Sequence, residues 1–392
     1  MKRSVRPIFS VLFLAAAAFT LCFRILVTGG SGAGEFFYRT TGVELQKRLP
    51  VFNETLLKFA SVDLAETSLR QNVEQLVGGN FRGLENGRQR SFLMSGKYRI
   101  DIRVRSAKGV PVNLRSPEIY RLWLDFRRYL QKWWRNHRFR ADIMSDMANV
   151  VKILEGGGNG TVFEKGSKFK SCAVVGNSGI LLKSNLGNVI DEHEFVIRLN
   201  NARTSGFERI VGTKTSLSFV NSNILHLCAR KESCFCHPYG EKVPIMMYMC
   251  QMMHFLDYVV CNATHKAPLM ITDPQFDVLC ARIVKYYSVS RFVKETGKPL
   301  EDWAGSHDGS NFHYSSGMQA VMLALGICDQ VSIFGFGKSD VAKHHYHTNQ
   351  KKELHLHDYE AEYDLYRDLV ERPEAVPFIS DTFKFPPVVI HK

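Results

Sequence analysis

No two aspartates stand two positions apart anywhere in the 392 residues, so the Asp-x-Asp triplet that commonly holds a divalent cation against a diphosphate is missing. Cysteines at Cys-x-x-Cys spacing are missing too, and with them the usual knuckles of structural zinc. In Gly176-Asn-Ser-Gly179 a Lys183-Ser184 pair follows only after three intervening residues, which excludes a Walker phosphate loop. Beyond residue 115 there is no internal repeat and no low-complexity tract, which leaves a single domain as the simplest architecture. Charge is also missing from Ile8 to Phe23, a run preceded by Lys2, Arg3 and Arg6.

That uncharged run, lengthened past a snorkelling Arg24, is just sufficient to cross a thin bilayer. Its basic flank keeps the amino terminus cytosolic and sends the rest of the chain to the lumen. We therefore expect a cytosolic tail (1–7), a signal anchor (8–27), a stem (28–115) and a globular domain (116–392). A cleaved signal peptide, with Ala15 to Ala18 near the cut, is the competing reading and delivers the same lumenal domain. Eight cysteines follow Cys22, an even number that suits disulfides in an oxidising compartment. The grouping Cys228, Cys234, Cys236, His237 also admits a zinc reading. Sequons at Asn53, Asn159 and Asn262 are candidate glycosylation sites in a lumen. The formal charge of +13 suits steering of anionic donors or acidic polysaccharides, because a secretory anchor argues against nucleic acid.

Residues 28–115 show no sustained periodicity and read as stem. From Ser116, Pro117 at a first helical position and apolar residues from Tyr120 to Trp134 predict a basic amphipathic helix, one that either packs on its own domain or lies on a membrane. After Gly156-Gly-Gly-Asn-Gly160, short apolar segments at 173–175, 195–199, 216–220, 245–249, 269–272 and 330–334 alternate with helical or polar connections. This predicts an α/β fold with one Rossmann-like nucleotide-binding domain.

Four blocks carry the chemistry. Cys172-Ala-Val-Val-Gly-Asn-Ser-Gly179 runs from a strand into a loop where Asn177 can donate and accept, and Phe195-Val-Ile-Arg-Leu-Asn-Asn201 ends in paired asparagines at a strand's carboxyl edge. In His313-Tyr-Ser-Ser-Gly-Met-Gln-Ala320, Ser315, Ser316 and Gly317 open a helix whose amides attract anions; without a ligand they are ordinary cap chemistry. Asn221 and Asn223 are weaker contacts at another strand end. A histidine-dense stretch then holds His344-His-Tyr-His347 and His357-Asp-Tyr-Glu-Ala-Glu362. It could also be read as a metal tract, although no carboxylate-backed ligand spacing recurs.

In order and spacing, over residues 170–370, these blocks resemble the large, small, third and very-small sialylmotifs of glycosyltransferase family 29, in wording close to its plant sialyltransferase-like branch. The resemblance implies a variant A-type glycosyltransferase fold and a Cys172–Cys328 disulfide. It also implies nucleotide or donor contacts from Asn177, Ser178, Asn200, Ser315, Ser316, Gly317 and Tyr346. His357 and Glu362 reproduce its His-x4-Glu signature, which implies His357 as base with Glu362 in support, and His345 as partner of the departing phosphate. Tyr314 stands where animal members commonly have proline, which bears on the shape of the donor loop. Inverting transfer needs a group to take the acceptor's proton and a cationic one to steady the phosphate, and two imidazoles suit both.

The expectation is thus a Golgi type II membrane enzyme using a nucleotide-sugar donor without metal or other cofactor. The donor implied is a sialic acid or related 2-keto sugar acid, CMP-linked, and the acceptor a glycan hydroxyl. The alternative is galactose from UDP-galactose, passed to arabinogalactan or pectic glycans. From a different class, the chain could be a non-catalytic Golgi scaffold or glycan-binding protein that associates with other transferases.

Overall fold

The computed structural model describes residues 52–78, 117–150, 167–229, 231–307, 312–339, 341–350 and 357–391. The expected anchor at 8–27, the Gly156–Gly160 break and the Asn159 sequon lie outside them. Among the described residues no helix is long and apolar enough to cross a membrane.

Seven parallel strands form one sheet: β1 (Cys172–Val175), β2 (Phe195–Leu199), β3 (Leu217–Asn221), β4 (Ile245–Tyr248), β5 (Leu269–Ile271), β6 (Val331–Phe334) and β7 (Val388–His391). Their order is β5-β4-β3-β2-β1-β6-β7. The chain steps outward from the interior strand β1 to one edge and returns to β1's other side, so the topology switches between β1 and β6. Open parallel sheets bind ligands at such a point, beyond the carboxyl ends of the strands. β7, which the sequence reading does not contain, is an edge strand of mostly β-branched residues directly after Pro386-Pro387.

The helices that matter below are α1 (Glu54–Ala60), α2 (Glu66–Gly78), α3 (Pro117–Asn136), α4 (Ser222–Cys228), α5 (His254–Thr264), α6 (Pro274–Thr296), α7 (Ser316–Ile327) and α8 (Tyr359–Glu371). Every residue of α7 is buried. It lies against one face of the sheet under α6 and α8, in a core that includes Val174, Ile197, Phe219, Leu279, Leu323 and Leu365. A helix buried all round has no polar face to set a period, which is why Ala320 to Leu325 run apolar without a break. On the opposite face α3 inserts Trp123, Phe126, Leu130 and Trp133, spaced at three and four residues, against α2, α5, β4 and β5. Trp133 meets Phe255 edge-on at 5.8 Å, and Tyr129 meets Tyr258 at 5.6 Å. The amphipathic helix therefore packs on its own domain, the first of its two readings.

Part of the segment read as stem is folded. Asn53 caps α1 by accepting from the Leu56 amide at 3.1 Å, and Lys285 of α6 closes that helix's far end by donating to the Phe59 carbonyl at 3.0 Å and to the Val62 carbonyl. Burial pushes the Lys285 pKa down to about 8, and its ammonium sits over the rings of Phe59 and Trp303. Helix α2 adds Val73 and Leu76 to the core around α3. A seven-residue helix is too short to show a period in sequence, and Lys285 stands 226 residues from Phe59.

Six cysteines are paired: Cys172–Cys328, Cys228–Cys236 and Cys234–Cys261. The last two bridges use the cysteines of the zinc reading and leave them unavailable as thiolate ligands. The sequon asparagines Asn53 and Asn262 are exposed.

Candidate active site

The carboxyl ends of β1, β2, β3, β4 and β6 bring the connections that follow them to one edge. The loop after β1 is tied down by backbone. Ser178 donates through Oγ to the Gly337 carbonyl at 2.7 Å, its amide donates to Gly335, and the Gly179 amide donates to Lys343. The Tyr346 amide donates to the Asn177 carbonyl at 2.8 Å, and its hydroxyl donates to the Arg203 carbonyl at 2.6 Å. Ser178 and Tyr346, expected as ligand contacts, thus spend their hydroxyls holding loops together. The Asn177 side chain differs, because its Oδ1 is buried with no protein partner. A buried carbonyl oxygen left unpaired costs roughly 1–3 kcal/mol. It is what a site awaiting a donor group would contain.

Gly176 and Gly317 are held by one ring. A Cβ at Gly176 would stand 3.0 Å from the Phe336 ring, and a Cβ at Gly317 2.7 Å from its opposite side. Phe336 thus wedges the β1 loop against the start of α7, and the absence of both side chains is a packing requirement. Gly317 was read as approaching the donor; this contact is with protein.

Asn200 adopts a left-handed φ of 53°, which asparagine tolerates better than most residues. Its Oδ1 accepts from the Asn221 amide at 3.2 Å and the Asn221 Nδ2 at 3.4 Å. Asn221 in turn caps α4 by accepting from Asn223 and Ile224, and Asn223 accepts from Gln251. The weaker pair is therefore engaged in cap chemistry, while Asn200 closes the β2 end onto it.

The start of α7 already holds a carboxylate. The Ser315 amide donates to Glu362 Oε1 at 2.7 Å and the Ser315 hydroxyl donates to Oε2 at 2.6 Å, while Ser315 Oγ accepts from the Met318 amide as N-cap. The Tyr366 hydroxyl adds a longer bond at 3.3 Å. The anion held at the Ser315 amide and hydroxyl is the protein's own Glu362. Ser316 is the adjoining buried residue, its hydroxyl 3.4 Å from that of Tyr248 at the β4 end. Burial raises the Glu362 pKa to about 7 against these hydrogen bonds.

His357 precedes the Asp358 cap of α8, and Glu362 stands one turn inside. Asp358 accepts from the Ala361 amide and, through its other oxygen, from Ser288 of α6 at 2.6 Å, so the His357 backbone is anchored from two sides. His357 Nδ1 lies 2.8 Å from the His313 carbonyl. A carbonyl only accepts, so the neutral ring carries its hydrogen on Nδ1 and its lone pair on Nε2. Burial, then the His313 ring 4.6 Å away, lower the His357 pKa to about 4. His345 is lowered to about 4 by burial and by His344 and His347, which stack on it at 4.6 and 5.6 Å. Both imidazoles are neutral in the free protein, so the cation expected at His345 forms only when an anion arrives.

The two histidines belong to one continuous patch. His345 stacks on His344, His344 meets Tyr359 at 5.3 Å, and Tyr359 meets His357 at 5.5 Å. His345 also adjoins Tyr346, whose amide is bonded at Asn177. The structure thus gathers Asn177, Ser178, His345, Tyr346, His357, Ser315, Ser316, Gly317 and Glu362; Asn200 bonds to Asn221, the register partner of Tyr248, whose hydroxyl lies 3.4 Å from that of Ser316. His313, His344, Tyr359 and Phe336 were not singled out; the first three lie in blocks already quoted, but only the fold turns His313 toward His357 and Phe336 toward Gly317. Cys172 and Cys328 lie at the other end, since Cys172 begins the strand whose last residue leads into the site.

Residues 123–373 match the description of glycosyltransferase family 29 (sialyltransferase). Over the full length of both chains the protein is 51% identical to a protein of Arabidopsis thaliana named beta-1,6-galactosyltransferase GALT29A. It is 45% identical, again over 100% of both chains, to sialyltransferase-like protein 1 of Oryza sativa subsp. indica. It is 31% identical over 249 residues, 57% of this chain and 65% of the other, to the Mus musculus protein named alpha-N-acetylgalactosaminide alpha-2,6-sialyltransferase 2. The chain belongs to glycosyltransferase family 29 and is a glycosyltransferase.

Proposed function

We propose that this glycosyltransferase moves galactose from UDP-galactose to a glycan hydroxyl, with inversion, at the patch where β1 and β6 diverge. The donor assignment rests on full-length similarity to the Arabidopsis protein named for galactosyl transfer. One observation carries the catalytic part: His357 Nδ1 is pinned to the His313 carbonyl, which reserves Nε2 for a proton.

In this reading the acceptor hydroxyl approaches Nε2. As its oxygen bonds to the anomeric carbon, the proton passes to His357 and the bond to the nucleotide phosphate breaks. His345 faces that phosphate. Its low pKa in the free protein rises beside an anion, so His345 takes a proton from solvent as the donor binds, and that positive charge steadies the leaving group. Asn177, through its unpaired Oδ1, and Asn200 contact the nucleotide, and Ser316 and Gly317 border the sugar. Glu362 acts through Ser315, holding the α7 start in place. Transfer proceeds without a metal, as the missing Asp-x-Asp triplet suggests. The anchor at 8–27 places the enzyme in the Golgi membrane with this site in the lumen.

The test is nucleotide release by the full-length protein in detergent, offered UDP-galactose, CMP-sialic acid and CMP-Kdo with a galactan acceptor, each with and without chelator. Turnover of UDP-galactose, unchanged by chelator, is expected. Turnover of a CMP-linked sugar acid alone moves the donor to the other reading, and no turnover of any donor moves the chain to the scaffold reading.

A further inference from the structure

Away from the histidine patch a second group of ligand-type side chains meets between two helices. His226 on α4 and His254 and Asp257 on α5 bring one nitrogen or carboxylate oxygen each to within 4.8 Å of one another. His254 and Asp257 are three apart and therefore project from the same face of α5. Both are at most 2% exposed, whereas the His226 side chain keeps 24% of its surface, which leaves a way in from solvent. The two imidazoles stack at 5.0 Å, and His226 Nδ1 stands 2.8 Å from Asp257 Oδ2.

The surrounding bonds resemble the outer support of a metal site. Ser222 Oγ lies 2.7 Å from His254 Nδ1 and accepts from the Cys250 amide at 3.1 Å, which fixes the imidazole's orientation. Two imidazoles and a carboxylate, with a position left for water, are a donor set typical of Zn2+. Tetrahedral zinc with bonds of about 2.0–2.2 Å needs ligand atoms about 3.3 Å apart, between the 2.8 Å pair and the 4.8 Å limit of the group.

We propose that His226, His254 and Asp257 bind one divalent cation of the Zn2+ class, which clamps α4 to α5 beyond the ends of β3 and β4. The clamp has a physical purpose, since α4 is only seven residues long and too short to be stable by itself. The same two helices carry the Cys228–Cys236 and Cys234–Cys261 bridges, so cross-links already concentrate there. This cation is structural, distinct from the transfer chemistry, and independent of the donor assignment.

The experiment uses the tag-free full-length protein in detergent, equilibrated with Zn2+ and dialysed against metal-free buffer. Metal analysis should find about one Zn2+ per chain, lost in Asp257→Asn and in the partly exposed His226→Gln, which keeps the fold measurable if the buried variant does not. Zn2+ should raise the melting midpoint of the wild type by a few degrees and leave both variants unmoved, and Co2+ should give a visible absorption band only in the wild type. Chelator should lower that midpoint without altering nucleotide release measured below it. A wild type that retains no Zn2+, or a His226→Gln variant that retains as much, overturns the proposal and leaves a hydrogen-bonded His–Asp pair.

Discussion

Replacing His357 with alanine is the sharpest probe of the site. The substitution removes the one imidazole whose Nδ1 hydrogen is fixed by the His313 carbonyl, and with it the Nε2 lone pair. General base catalysis contributes typically 10²–10⁴-fold, so kcat should fall by about that factor, or about 3–5 kcal/mol of transition-state stabilisation. The pH profile gives a second readout. Because burial and His313 hold the His357 pKa at about 4, its protonation should not reduce kcat/KM until the pH falls below about 5, whereas an ordinary histidine would halve it near 6.5. An inflection near pH 7 belongs instead to Glu362 and should disappear in Glu362→Gln. The linkage to stability has a definite sign. The unfolded chain takes up the His357 proton first, so a contribution of about 3 kcal/mol is intact above pH 6.5 and is lost as the pH falls toward about 4. The assay is initial-rate nucleotide release from pH 4.5 to 8, with circular dichroism to show that the variant is folded. A folded His357→Ala protein within threefold of wild-type kcat would refute the assignment.

The buried carboxyls behave in the opposite sense. Burial raises both Glu362 and Asp277 to about 7, so their contribution to stability is full below the unfolded values near 4 and is lost as the pH rises through 7. Asp277→Asn keeps an oxygen for Thr272 and Gln319, and should flatten the decline in denaturant midpoint between pH 5 and 8. Removing the Cys172–Cys328 bridge by paired alanine substitution frees a loop spanning a separation of 156 residues, and the chain entropy regained by the unfolded state lowers stability by about 5 kcal/mol, readable as a lower urea midpoint. Gly317→Ala drives a methyl into Phe336 and should cost about 1–3 kcal/mol together with most activity. The double variant Gly317→Ala/Phe336→Leu should recover part of both, and a failure to recover either argues that Gly317 serves the ligand directly.

Fold class and most strands were legible because strand signals are local. Six of the seven strands follow from apolar runs of three to five residues, and β7 escaped because an edge strand of four residues after a double proline offers little pattern. The opening of α7 was legible from Ser315 as cap, whereas its complete burial was not, since surroundings on all sides leave no trace in periodicity. Asn53 shows the same limit: the residues that make a sequon also cap α1, and only Lys285, distant in the chain, reveals that this helix is docked.

The sequence by itself pointed to which residues could do chemistry, because His357 and Glu362 stand at the spacing of a His-x4-Glu signature and Asn177 follows the end of one strand. Only the tertiary structure decided what each of them does with its hydrogen bonds. Ser178, Tyr346 and Ser315 turned out to be committed to protein partners, Asn177 Oδ1 was left without one, and His345 and His357 were made neutral by burial and, after it, by neighbouring rings. Long-range packing sets desolvation and pairing, and those two effects set protonation, so the state of the site is a property of the fold and not of any segment within it.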